Sequence, residues 1–289
     1  MVNQSRPQHS SVTALPNESS FDHITLTVGD LARMQQFYMD VIGLRVLERI
    51  NGAARLGVGQ TSMLTLREDR DTPPRRESEA GLFHLAIRVP TRAALARALP
   101  SIRDANALTG ASDHGFSEAI YLRDPEDNGV EIYRDRQRED WPFDASGKLH
   151  APTRPLDYSS LPAADDGTAR LPADSDLGHV HLEVTNLERS LHFYRDLLGF
   201  DLKIHPGSEA AFLAAGEYHH HVALNTWNHR TDPATGRGVA EIRLAVPSNG
   251  ELQKLRERMD EGGVTIRDRQ DGFCLADPDR IRIGCTAQD

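Results

Sequence analysis

Three polar residues stand inside otherwise apolar, strand-like segments, and their types are those of metal ligands. His23 opens the segment HITLTV, His84 lies within LFHLAIRV, and Glu131 interrupts the pair Val130 and Ile132. Two neutral imidazoles and one carboxylate supply three ligands on one face of an octahedron and leave three positions open. This pattern predicts a non-haem Fe(II) site, with Mn(II) as the alternative, that has room for a substrate and for O₂.

The elements that would carry these residues belong to a repeated unit. Residues 23–43 read HITLTVGDLARMQQFYMDVIG and residues 179–199 read HVHLEVTNLERSLHFYRDLLG. At one fixed offset the two segments share identities that include His23 with His179, and Gly43 with Gly199. Such self-similarity indicates a duplicated architecture.

Each copy predicts a β-α-β-β-β unit. Ile24, Leu26 and Val28 alternate with polar residues, which is typical of a half-buried strand. Asp30 stands where a helix N-cap is expected, and Gly43 can end the helix in the left-handed conformation. Three short strands are predicted to follow, at 44–49, 53–58 and 62–67.

A weaker form of the unit recurs inside each half, with a strand at 82–89 and a helix at 91–103, and again at 239–246 and 248–261. The fold class predicted is therefore α+β, with four βαβββ modules in two paired domains. The predicted organisation is a flexible tail at 1–19, a first module pair with the catalytic metal at 20–134, a Pro-rich linker at 135–176, and a degenerate second pair at 177–289.

Residues 113–133, DHGFSEAIYLRDPEDNGVEIY, carry a resemblance to a known family. The segment is similar to the signature of extradiol ring-cleaving dioxygenases, in which His-Gly, Tyr and Asp-Pro precede the ligand Glu. Together with the paired modules, it resembles the vicinal oxygen chelate superfamily and, within it, bacterial two-domain catechol 2,3-dioxygenase-like proteins. The resemblance covers about residues 21–134 and 177–285.

The resemblance implies cleavage of a catechol or substituted catechol by O₂, beside one of its two hydroxyls. His23, His84 and Glu131 would hold Fe(II) or Mn(II). Tyr121 would donate a hydrogen bond to a substrate oxygen, and His114 would hydrogen-bond the substrate or the bound oxygen and stabilise developing charge. These enzymes also carry an acid–base histidine about fourteen residues before the second ligand, but here 69–71 reads Asp-Arg-Asp. A different group, or a histidine from the second half, would have to move the proton.

Two other functions stay open for this fold. A lyase or isomerase of the glyoxalase type would use a fourth ligand, a Glu in the last strand of the first module. That strand reads TSMLTL, with Thr65 or a neighbour at the position of the Glu, and this disfavours a glyoxalase. A non-catalytic small-molecule binder, like the resistance proteins of the fold, would need neither the open metal face nor Tyr121.

The second half departs from the triad pattern. Glu241 replaces the second His, and Arg282 aligns with Glu131. A run of histidines, His219, His220 and His221, is predicted to lie on a strand within residues 218–227. Such a run can bind a metal, and His179, His221 and Glu241 could form a second metal site. The alternative is that these residues satisfy buried polar groups or line the domain interface in a degenerate domain. Trp227 is expected to pack against neighbouring residues rather than to bind a ligand.

Composition limits the partners. The chain has 33 basic and 43 acidic residues, for a formal charge of -10, which disfavours nucleic acid and anionic membranes as partners. It has only two cysteines and begins with a polar segment, so the sequence predicts a cytoplasmic protein without a membrane segment or a disulfide framework. Exposed edges of paired modules commonly associate, and a homo-oligomer is therefore expected.

Overall fold

Four βαβββ modules follow one another along the chain in this computed structural model, which describes residues 14–162 and 170–288. The number of modules and the α+β class predicted from the repeats are confirmed. The first module contains β1 (Ser20–Val28), α1 (Leu31–Phe37), β2 (Arg45–Ile50), β3 (Ala53–Val58) and β4 (Thr61–Glu68). The second contains β5 (Gly81–Arg88), α2 (Arg92–Asp104), β6 (Leu108–Asp113), β7 (Ser117–Arg123) and β8 (Gly129–Asp135).

The second half repeats this order after a connecting segment that contains the short strand β9 (Arg154–Pro155). The third module contains β10 (Asp176–Glu183), α3 (Leu187–Leu191), β11 (Asp201–Ile204), β12 (Ala210–Ala214) and β13 (Val222–Asn225). The fourth contains β14 (Gly238–Val246), α4 (Asn249–Glu261), β15 (Arg267–Arg269), β16 (Gly272–Ala276) and β17 (Arg282–Ala287). No helix in the described ranges is both long and apolar enough to cross a membrane.

The first helix of each half begins and ends as its sequence predicts. Asp30 accepts a hydrogen bond from the Arg33 amide at 3.0 Å, and Asn186 caps α3 in the same way. Both helices continue into a π-helical turn, over Tyr38–Ile42 in the first module. Gly43 then adopts φ 89°, a left-handed conformation that glycine reaches without steric cost.

The modules form two sheets, and each sheet joins modules from different halves. The first and fourth modules share an eight-stranded sheet in the order β15-β16-β17-β14-β1-β4-β3-β2. The second and third share a nine-stranded sheet in the order β11-β12-β13-β10-β5-β8-β7-β6-β9. The pairing of modules within 20–134 and within 177–289, predicted from the sequence, differs from this arrangement, because consecutive modules lie in different sheets.

One face of each sheet packs into a single apolar core, and the other face carries the polar residues. Alternation along a strand decides the face. In β10, Val180 and Leu182 join a core built from both sheets and the helices, so His179 and His181 point to the opposite face. In β8 the same alternation places Glu131 on that face of the nine-stranded sheet.

The ends of the predicted linker and tail are packed against this architecture. Trp141 is buried beside Phe116, Leu149 and Ile204, whereas Phe143 is 41% exposed. Residues 1–13 of the predicted tail lie outside the described residues. The part from residue 14 is not a free tail, because Leu15 is buried and its amide donates to the carbonyl of Gly199.

Two buried aspartates tie the sheets together at equivalent turns. The Tyr38 hydroxyl of the first module donates to Asp124 of the second at 3.0 Å, and Tyr194 donates to Asp277 in the same way. Burial raises the pKa of Asp124 to about 6 and, with the negative charge of Asp279, that of Asp277 to about 7. Both folded-state values lie above the ordinary aspartate value, so the folded protein prefers these carboxyls protonated.

The raised pKa of Asp277 predicts a pH-dependent effect of Asp277→Asn. The stabilising contribution of the protonated carboxyl is complete below the unfolded pKa near 4 and is lost as the pH rises through about 7. Asparagine stays neutral, so the stability of the variant relative to wild type should improve between pH 5 and pH 8. Thermal unfolding of both proteins across this range measures the difference; a constant or opposite trend would contradict the assignment.

Candidate metal centre

Glu131 lies at the centre of a buried cluster on the polar face of the nine-stranded sheet. It is 3% exposed, lies opposite Ala86 in β5, and lies opposite Tyr121 in β7. Its Oε2 is 2.9 Å from Nε2 of His84 and 3.2 Å from Nε2 of His179. One ligand atom from each of the three residues lies within 4.8 Å of the other two.

The two histidines come from the central strands of the sheet. β5 and β10 are antiparallel neighbours, and the ladder between them shifts register between Leu177 and His179. Bulges of this kind commonly re-aim side chains near functional sites. Gly178, at the shift, has no room for a side chain, because a Cβ there would lie 1.8 Å from the Tyr133 hydroxyl oxygen.

The electrostatics keep Glu131 and His179 in their metal-binding protonation states. Burial disfavours the charged form of Glu131, but the two imidazoles outweigh this effect and hold the pKa of the carboxyl well below its usual value. Burial lowers the pKa of His179 to about 4, against the opposing attraction of Glu131. A carboxylate facing a neutral imidazole is the state in which both bind a cation.

The donor set fits a divalent cation. Within the described part of the chain, Glu131 pairs with no arginine or lysine, so its buried charge faces the two histidines and the Tyr121 hydroxyl, none of which carries a fixed positive charge. An uncompensated buried charge is costly, and a bound cation would compensate it. Three facial ligands of the types His, His and Glu suit a metal that keeps open coordination positions.

His23, predicted from the sequence as a ligand, lies elsewhere. It is on β1 in the eight-stranded sheet, opposite Arg243 of β14, and its Nε2 is 2.9 Å from the Thr65 hydroxyl. The structure therefore brings His84 and Glu131 together but does not bring His23 to them. His179, which aligns with His23 in the internal repeat, lies at the third position of the cluster. This alignment is the sequence feature from which His179 could have been predicted as a candidate ligand.

His114 and Tyr121 form a hydrogen-bonded pair beside the cluster. Nδ1 of His114 is 3.1 Å from the carbonyl oxygen of Pro152, and Nε2 is 2.9 Å from the Tyr121 hydroxyl. A carbonyl can only accept, so Nδ1 donates. In the neutral imidazole Nε2 then accepts from the Tyr121 hydroxyl, for which the Glu131 carboxylate is the alternative acceptor. Burial and the charge of Glu131 raise the pKa of Tyr121 well above 10, so the hydroxyl keeps its proton.

The cluster opens into a cavity of about 620 Å³. Three aromatic rings form one wall, since the ring centroids of Phe83 and Trp227 are 5.5 Å apart and that of His181 is 5.3 Å from Trp227. Trp227, predicted to pack, does pack against these two rings, but it also lines the cavity and is 42% exposed. Its position in a loop before β14 gave no pattern from which the role could be predicted.

The histidine run does not build a second triad. It lies in the turn before β13 rather than on the strand, and all three side chains are buried. His220 lines the cavity, with its ring centroid 4.1 Å from that of His179. His221 instead accepts from the Ala215 amide, and Glu241 is paired with Arg269 in the other sheet. The structure thus does not bring His179, His221 and Glu241 together.

The position of a fourth ligand is occupied by alanine. In the second module, Glu131 lies opposite Ala86, two residues after His84. In the third module, Ala223 lies opposite His181, two residues after His179. Ala223 therefore takes the place that Glu131 has in the neighbouring module, and it has no ligand atom.

The chain belongs to the Glyoxalase/Bleomycin resistance protein/Dioxygenase superfamily, whose family model matches residues 20–132 and 176–283. This confirms the resemblance seen in the sequence. A catechol-2,3-dioxygenase of Bacillus subtilis (strain 168) is 34% identical over 276 residues, which cover 92% of this chain and 96% of the relative.

Solved structures of the same fold include a glyoxalase I from Zea mays, with a TM-score of 0.59 and 19% identity over 93% of this chain and 92% of that one. A candidate dioxygenase from Bacillus subtilis subsp. subtilis str. 168 has a TM-score of 0.65 and 15% identity, over 95% of this chain and 86% of that one. At these identities the likeness shows the fold alone.

Proposed function

We propose that this protein is an Fe(II)-dependent extradiol dioxygenase that opens the ring of a catechol or substituted catechol with O₂. The observation that carries the proposal is a buried His84–Glu131–His179 cluster facing a cavity with aromatic walls. The identity of 34% to a catechol-2,3-dioxygenase over nearly the whole chain supports it. The reaction breaks the carbon–carbon bond beside one hydroxyl, and both atoms of O₂ enter the product.

The cavity suits a planar aromatic diol. Its volume of about 620 Å³ lies within the usual range for small-molecule sites. Phe83 and Trp227 offer ring surfaces for the apolar part of the substrate, and Phe212 lines the cavity with its ring edge-on to that of His220. A catechol packed against this aromatic wall would direct its two hydroxyls toward the ligand cluster.

His84, His179 and Glu131 would hold the metal. Fe(II) supplies Lewis acidity toward the phenol and electron density toward O₂ when it is bound. The contribution of the protein is to hold three ligands in one buried cluster and to leave the cavity side open, so that two oxygen donors of a catechol and one O₂ can approach together.

The Tyr121–His114 pair can accept the proton that a catechol hydroxyl loses. The Tyr121 hydroxyl donates to Nε2 of His114, so its oxygen lone pairs remain free to accept from the substrate. As the substrate proton moves to Tyr121, the tyrosine proton moves to Nε2. The imidazolium that forms keeps the hydrogen bond from Nδ1 to the Pro152 carbonyl. This pair supplies the acid–base group that the sequence at 69–71 lacks.

The decisive assay is anaerobic loading with Fe(II), followed by a panel of catechols and air. We expect O₂ uptake in equal amount to a yellow ring-opened product, with Mn(II) tested in parallel. His192→Ala, at an exposed helical position, is the matched histidine control and should behave as wild type. Bound iron without O₂ uptake or product across the panel would overturn the proposal. A glyoxalase assay on the same preparation should be negative, because Ala223 offers no fourth ligand.

A further inference from the structure

A second cavity, of about 490 Å³, lies on the polar face of the eight-stranded sheet. Its walls come from the strands β1, β4, β14, β15, β16 and β17 and from four connecting loops. The central pair β1–β14 corresponds to β10–β5 of the other sheet, so this cavity is the counterpart of the aromatic cavity. None of the functions considered so far uses it.

The strand pairing in the eight-stranded sheet identifies the residues that stand at the positions of the metal ligands of the other sheet. Cys274 lies opposite Gly284 in the β16–β17 pair, as Tyr121 lies opposite Glu131. The counterpart of Glu131 is therefore Gly284, and not Arg282 as the sequence alignment predicted. Glu241 stands at the position of His84 but is held by Arg269. Among the described residues, no cluster of metal-ligating side chains lies at this cavity.

Arginines surround the cavity instead. Arg67, Arg267, Arg280 and Arg282 line it. Arg280 stands at the turn position that Asp127 has in the second module, and Arg282 stands where that module has Gly129. Two positions that are acidic or uncharged in the second module are therefore arginines in the fourth module. The chain as a whole has a net charge of -10.

All four arginines are solvent-exposed, and the charge of Asp69 acts on Arg67. None of them forms an ion pair within the described part of the chain. The only hydrogen bonds found for Arg67 and Arg282 there are weak, to the Thr27 hydroxyl at 3.4 Å and to the Ala240 carbonyl at 3.3 Å. One acid, Asp69, lines the cavity, and it already accepts from Thr72 and from the amide of Asp71.

We propose that this cavity binds a small organic polyanion, through carboxylate or phosphate groups. Guanidinium groups recognise both kinds of oxyanion with paired hydrogen bonds. The volume exceeds that of a single oxyanion, and the remaining wall is formed by threonines and small residues rather than aromatic rings. The ligand is therefore a hydrophilic molecule with at least two anionic groups, chemically unlike a catechol.

Calorimetric titration of the iron-loaded protein at low ionic strength tests the site. The probes are tricarballylate for carboxylates and fructose 1,6-bisphosphate for phosphate esters, both weak chelators; iron content is measured before and after. We expect saturable binding of at least one probe and an affinity at least about tenfold weaker in the Arg67→Gln/Arg282→Gln double variant. Binding of one probe alone identifies the anion class.

Arg49→Gln is the matched control, since Arg49 is an exposed arginine on β2 of the same sheet that does not line the cavity. It should bind as wild type does. The proposal fails if neither probe binds at about 5 mM, or if the double variant, with an unchanged melting temperature, binds as tightly as wild type. Catechol cleavage is not part of the readout, so this outcome is independent of the proposed dioxygenase activity.

Discussion

His179→Ala should lose its iron and at least about a hundredfold of its ring-cleaving activity, whereas His23→Ala should keep both. In metalloproteins, removal of a group that only hydrogen-bonds a ligand lowers metal affinity or activity about ten- to a hundredfold. Removal of a ligand itself should therefore cost at least as much. His179 contributes Nε2 at 3.2 Å from Glu131, and its removal leaves two of three ligands. His23 bonds to Thr65 in the other sheet and cannot reach the cluster.

Iron per protein after anaerobic loading and desalting is the first measurement, and O₂ uptake with catechol is the second. His179 is also buried, so the thermal unfolding of metal-free wild type and variant must be compared to separate loss of metal from loss of fold. A folded His179→Ala protein with full iron and activity would exclude this ligand. Loss of iron in His23→Ala, with His179→Ala unaffected, would instead restore the ligand set predicted from the sequence.

The repeats predicted the modules well because their signals are local. Alternation in the strands, the Asp30 cap and the Gly43 helix end act within a few residues of chain. They do not determine which modules share a sheet. That choice depends on the connections near 69–80 and 226–237, which carry the chain from one sheet to the other, and their sequence has no periodic pattern.

The assignment of His23 as a ligand failed because local sequence patterns do not determine which modules share a sheet. His23 and His179 occupy the same position of the repeat, so the pattern offers them equally as the partner of His84. Only the pairing of β10 with β5 decides between them. The second half, predicted to be degenerate, thus contributes a candidate ligand, and its His181, His220 and Trp227 line the cavity. The ten-residue spacing from Tyr121 to Glu131 predicted its pair of residues correctly. The two residues lie opposite each other in the hairpin of β7 and β8, so their pairing depends only on local sequence.

Tyr121→Phe should retain iron and lose about a hundred- to ten-thousandfold in turnover, the range typical of a general acid–base group. The change removes one oxygen from a ring that stays in place, so the cavity keeps its shape. Iron content and steady-state O₂ uptake measure the effect. Tyr194→Phe is the matched control, because it also removes one tyrosine hydroxyl, here a buried one that donates to Asp277 away from the cavity. It should lower the melting temperature without lowering turnover.

The double variant Tyr121→Phe/His114→Asn separates a proton relay from two independent contacts. If the proton passes from substrate through Tyr121 to His114, removing either residue interrupts the same path, and the double variant should be little slower than the slower single variant. If each residue touches the substrate on its own, the two losses should multiply. Multiplied losses would exclude the relay while leaving both residues in the site. Non-additive losses with intact iron would assign His114 the proton that Tyr121 passes on.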